Sequence, residues 1–157
     1  MSVITPLHNR ILKAFLALIP LVIGLLLISI YYGVVYFFPE YHLGLFANKK
    51  DIAAMVLSFA FTMLGFLAAM ITLLFGFADK EIYKKFKRNG HLQLLFFLYY
   101  VTIFSLVLTA FFAMFGYSES PIFVWPFRAM LVLFATNIVQ VTFLTVIISN
   151  FSKNADN

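Results

Sequence analysis

The chain has no cysteine in its 157 residues, which excludes disulfides and thiolate chemistry. Acid is nearly as scarce. Glu40, Asp51, Asp79, Glu81, Glu119 and Asp156 are its only carboxylate side chains, and none falls within a long apolar run. His8, His42 and His91 also lie outside those runs. Proton-coupled pumps and exporters normally place a carboxylate or imidazole at membrane depth, where its pKa can be shifted. Four-span exporters built on an intramembrane Glu are therefore disfavoured. HExxH, GxSxG, a glycine-rich phosphate loop and acid pairs at metal-ligand spacing are missing too. The expectation is a protein that is not an enzyme, with no catalytic residue, metal or cofactor.

Apolar sequence fills the space. Hydrophobic residues make up 64% of the chain and charged ones 11%, and the mean hydropathy of +1.01 is far from that of soluble domains. Four runs, residues 14–38, 52–78, 92–117 and 127–151, each exceed the ~20 residues that a helix needs to cross a ~30 Å hydrocarbon layer. The fold class predicted is all-α: a polytopic membrane protein in which residues 1–157 form one four-helix transmembrane domain, oligomeric in use. The first run follows the basic residues Arg10 and Lys13, as in a signal peptide. It is too long for a typical signal core and has no small-x-small cleavage site, so a retained first span is expected. Aromatics reach 19%, mostly Phe, which suits contact with membrane lipids.

Cations set the expected orientation. The connection 79–93 carries Lys80, Lys84, Lys85, Lys87 and Arg88; the head adds Arg10 and Lys13, and the tail Lys153. Lys49, Lys50 and Arg128 fall on the other side. By the positive-inside rule both termini and the basic connection are cytoplasmic. The +5 net charge is then mainly a topology signal and not a nucleic-acid footprint. Lys84, Lys85, Lys87 and Arg88 remain available to anionic head groups or to a cytoplasmic activator.

Thr5-Pro6 reads as an N-cap followed by proline in the first helical position, and Pro20 should kink span one. Tyr31, Tyr32 and Tyr36 approach the outer interface, and Pro39 ends the span. Ile82, Tyr83 and Phe86 keep helical spacing among the lysines, so span two is expected to continue to Arg88 as one protruding rod, about 55 Å long. Asn89-Gly90 stops it.

The most regular pattern is Ser58, Thr62, Gly65, Ala69, Thr72 and Gly76, spaced alternately by four and three. Small residues let helices approach closely in lipid, so this seam is expected to be a tight helix contact within or between subunits, or a narrow polar path between them. In span four Thr136, Asn137 and Gln140 share one face, and Thr142, Thr145 and Ser149 another. Amides at depth need partners, so both faces are expected to meet protein or water rather than lipid, through interhelical bonding or as the lining of an aqueous pore. Arg128 is expected either to snorkel beside Trp125 or to guard an outer mouth.

Ser58-Phe59-Ala60-Phe61-Thr62-Met63 and Ala68-Ala69-Met70-Ile71-Thr72-Leu73-Leu74-Phe75-Gly76 resemble the RexB-like membrane proteins of phage exclusion in lambdoid phages. Gly90-His91, the aromatic third span, the length and the four spans continue the similarity. The resemblance implies an ion channel that depolarises the infected cell when a cytoplasmic sensor protein detects phage replication. It marks residues 58–76 as an interaction or pore segment. The expected function is an oligomeric pore-forming effector in anti-phage defence. The alternative is a non-conducting scaffold, immunity or anti-holin-like regulatory subunit.

Overall fold

A computed structural model of the chain describes residues 6–37, 48–88, 90–117 and 124–153, and every regular element among them is a helix. The helices are α1 (Pro6–Phe37), α2 (Lys49–Gly76), α3 (Glu81–Arg88), α4 (His91–Phe115) and α5 (Val124–Lys153). Four of them are long and apolar enough to cross a membrane, over Leu18–Phe37, Lys49–Gly76, His91–Phe115 and Trp125–Ser149. Helix α1 starts at Pro6, where the missing N–H would have no intrahelical partner anyway. It continues through Pro20, which is fully buried. Thr5, Pro39 and Asn89 lie outside the described residues.

Helices α4 and α5 form the centre, with α2 packed on α4 and α1 on α5. Two apolar clusters show that neighbours run antiparallel. The start of α2 (Ala53, Val56) meets the end of α4 (Ala113) and the start of α5 (Phe127, Met130). The end of α2 (Met70, Leu74) meets the start of α4 (Leu92, Leu95) and the late part of α5 (Leu144, Ile148). Between them Phe59 stands edge-on to Phe134, with centroids 4.9 Å apart.

Burying Leu or Phe gains little in a bilayer, because lipid tails are as apolar as the core; close packing decides which faces meet. The tightest approaches involve glycine. A Cβ on Gly24 of α1 would collide with Oγ1 of Thr136 and lie 2.9 Å from the Val132 carbonyl oxygen. A Cβ on Gly116, just beyond α4, would collide with Cβ of Ala53. The outer surface carries large apolar side chains such as Phe15, Leu26, Phe61, Phe104 and Phe111. In water so much exposed apolar area would be an aggregation hazard, whereas in lipid it is an ordinary boundary.

The long rod expected from Ile52 to Arg88 does not form. Helix α2 ends at Gly76, where the amides of Phe77 and Ala78 turn back to the carbonyls of Leu74 and Phe75 at 3.2 and 3.0 Å. Glu81 opens α3 in its first turn, where the helix dipole favours a carboxylate. The 28 residues of α2 already reach about 42 Å, past the hydrocarbon thickness. Breaking there lets Tyr83 fold back onto the bundle core instead of extending into water. Gly90 makes the second turn in the left-handed region, at φ 77°.

Candidate functional site

The α2 seam faces outward along its whole length. Ser58, Thr62, Gly65, Ala69, Thr72 and Gly76 are all exposed in the single chain, and a Cβ on Gly65 or Gly76 would meet nothing within 4 Å. The buried stripe of the same helix is Ala53, Val56, Ala60, Leu67, Met70 and Leu74. At about 100° per residue the two stripes lie on opposite sides of the helix. A contact within the subunit, one of the two expected for this seam, is therefore not what the fold makes. Large side chains on the inner stripe fill the space against α4 and α5, and the small ones are left for the outside. The hydroxyls of Thr62 and Thr72 donate to the carbonyls of Ser58 and Ala68 at 2.8 and 2.9 Å, so this face tolerates an apolar neighbour.

The polar face of α5 turns inward. Thr136, Asn137 and Gln140 are buried, and opposite them α4 brings Thr102, Ser105 and Thr109, also buried. Asn137 Nδ2 donates to Thr109 Oγ1 at 2.7 Å. Thr102, Thr109 and Thr136 each donate to the carbonyl four residues back, at 2.8 Å. With those hydroxyl protons committed, Asn137 Oδ1 and Gln140 Oε1 are buried without a donor among the described residues. This layer ties α4 to α5 and does not line an outer surface. Of the two roles expected for these amides, interhelical bonding is the one that Asn137 shows in the single chain. The second face of α5 points out of the single chain. Thr142, Thr145 and Ser149 are exposed, and Thr142 and Thr145 donate to the carbonyls of Ile138 and Val141, which makes contact with lipid acceptable.

Arg128 is exposed in the first turns of α5, with its guanidinium carbon 5.7 Å from the ring centroid of Tyr32 on α1. That is cation–π range, so the charge sits against the aromatic end of α1. Trp125 is exposed one turn away. At the opposite end of the bundle Lys84, Lys87 and Arg88 project from α3 into the exterior; the side chain of Lys85 lies outside those described. Among the described residues no cluster of three or more His, Asp or Glu side chains could hold a metal ion.

Sequence reasoning missed Gly24 and the α4 hydroxyls. Thr102, Ser105 and Thr109 are spaced by three and four, the same signal that marked the α2 seam, but a long aromatic context hid it. Gly24 lies one turn beyond Pro20 and both are buried, with Gly24 making the close approach to α5.

Comparison with family models, with curated proteins and with solved structures returned no match. The fold itself defines the class: an all-α, multi-pass membrane protein built on four candidate membrane-spanning helices.

Proposed function

We propose that this chain is the subunit of a homo-oligomeric membrane channel, a pore-forming effector that depolarises its membrane, assembled through the outward face of α2. The observation that carries this reading is the seam: six small or weakly polar residues in register on one side of a helix, all exposed, opposite the side that the subunit uses for its own core. Such faces let helices from different copies approach closely in lipid. A single bundle is filled by Leu67, Leu98, Leu106, Phe127 and Met130, so any ion path runs between copies. The RexB-like segment 58–76 contains this face, and that resemblance suggests phage exclusion at a bacterial inner membrane, with a cytoplasmic sensor protein upstream.

A second reading is favoured by the hydrogen bonds. Thr62 and Thr72 satisfy their hydroxyls within α2, and the α5 amides are inside the bundle, so the outward face is packing surface more than polar lining. That pattern suits a non-conducting scaffold or regulatory subunit. One experiment separates the two. A voltage-sensitive dye and a large impermeant DNA stain are followed in cells producing the chain, and bilayer current is recorded from the purified assembly. The channel reading expects potential to collapse while the large stain stays out. An assembled oligomer that leaves potential and current unchanged removes the channel and keeps the scaffold. A protein that stays monomeric removes the channel.

A further inference from the structure

The breaks at Phe77–Lys80 and Gly90 change what the basic segment can reach. A continuous rod would carry its cations away from the membrane toward soluble partners. Instead α3 is eight residues, about 12 Å long, held between the end of one spanning helix and the start of the next. It packs on α4, and Tyr83 seats against the apolar cluster that contains Leu74 and Leu92. The segment therefore stays at the end of the bundle, at the level where spanning helices leave the hydrocarbon. Lys80 is drawn down further, its Nζ 5.2 Å from the ring centroid of Phe77.

Charge and periodicity then select the partner. At helical spacing Ile82, Tyr83 and Phe86 fall on one side of α3, and Lys84, Lys87 and Arg88 on another, where all three are exposed. Asp79 and Glu81 are the acids of the segment, against five cations in sequence. A short helix of amphipathic sequence, anchored on the bundle through Tyr83 and with its cations at the membrane surface, matches phosphate head groups. We propose that α3 is a docking surface for anionic phospholipids of the leaflet it adjoins, with Lys84, Lys87 and Arg88 contacting the phosphates. This surface is separate from the α2 face, so it stands or falls independently of conduction.

The test uses the full chain reconstituted in phosphatidylcholine vesicles containing trace spin-labelled phosphatidylglycerol or spin-labelled phosphatidylcholine. The motionally restricted fraction of each label gives a relative association constant. The expected result is a preference for phosphatidylglycerol of about fivefold or more, roughly the factor that one surface cation supplies. Added salt should reduce it. K84Q/K87Q/R88Q should bring the preference close to parity, and K84R/K87R/R88K should keep it. Equal retention of the two lipids by the native chain overturns the proposal and leaves the surface to an acidic soluble partner. An unchanged preference in K84Q/K87Q/R88Q overturns it as well, by placing the lipid elsewhere. Where that variant fails to assemble, a native preference indifferent to salt overturns it in the same way.

Discussion

Asn137 of α5 and Thr109 of α4 are joined by a 2.7 Å hydrogen bond between buried side chains, and this is the specific polar tie at the centre of the bundle. Thr109 uses both capacities of its hydroxyl, accepting from Asn137 and donating to the Ser105 carbonyl at 2.8 Å. Interhelical bonds of this kind in membranes contribute about 0.5–2 kcal/mol. Asn137→Leu and Thr109→Val should each lower thermal stability in detergent, and the double variant should lose less than the sum. A double-mutant cycle with no coupling would show that the bond carries no energy.

Gln140 offers the opposite case. It is buried, and its Oε1 has no donor among the described residues. A buried acceptor without a partner costs about 1–3 kcal/mol, so an apolar replacement of similar shape should be neutral or stabilising. Gln140→Met should therefore keep or raise the melting temperature, where Asn137→Leu lowers it. A drop as large as that of Asn137→Leu would mean that Gln140 is as well bonded as its neighbour.

Gly24 should tolerate nothing larger. A Cβ there meets Thr136 Oγ1, the Val132 carbonyl oxygen and the Thr136 amide nitrogen, and much of what it meets is backbone that cannot rotate away. Gly24→Leu should separate α1 from α5 at a cost of about 1–3 kcal/mol or more. Gly33→Ala, on the same helix with nothing within 4 Å of the added carbon, is the control and should be silent. Protease sensitivity of the purified protein reads the difference; equal resistance would contradict the close crossing.

The outward seam of α2 should govern self-association without governing the fold. Gly65→Leu and Ala69→Phe should weaken the oligomer on the order of tenfold, about 1.4 kcal/mol, while the monomer keeps its helicity. Val107→Phe on the exposed side of α4 should not. Leu67, on the same helix as the seam, would make a poor control, since it is wholly buried in the core and a larger ring there would disturb the bundle itself. Crosslinking in detergent checks the order of effects. Unchanged oligomers in both seam variants would sink the assembly surface.

Orientation rests on eight Lys and Arg residues assigned to one face against three on the other. The absence of native cysteine makes a clean assay possible. Cysteine placed at Lys84 should resist a membrane-impermeant thiol reagent added to intact cells, whereas cysteine at Asp51 should react. The reverse labelling would invert the topology.

The order of the spanning helices was largely legible from sequence, for a simple physical reason. Crossing a bilayer demands length and apolarity, and both are properties of a continuous segment that no tertiary contact can supply. Residues 14–38, 52–78, 92–117 and 127–151 accordingly each lie mostly within one of α1, α2, α4 and α5. The left-handed Gly90 was legible too, as a glycine following asparagine at the end of a helical pattern. The end of α2 was not. Ile82, Tyr83 and Phe86 have the same period whether the helix runs on or breaks and folds back, so periodicity is blind to the choice.

Sequence by itself thus determined the four spans, the positions of the cations and the seam of small residues. Tertiary structure decided which way each face points. In lipid, inward and outward neighbours are equally apolar, so hydrophobic patterning cannot distinguish core from surface as it does in water. The choice fell to shape and hydrogen bonding. Gly24 could approach α5 because it lacks a Cβ, Asn137 turned to Thr109 because an amide at depth needs a partner, and the large side chains of α2 filled the bundle. What was left over, the seam of Ser58, Thr62, Gly65, Ala69, Thr72 and Gly76, became the outside.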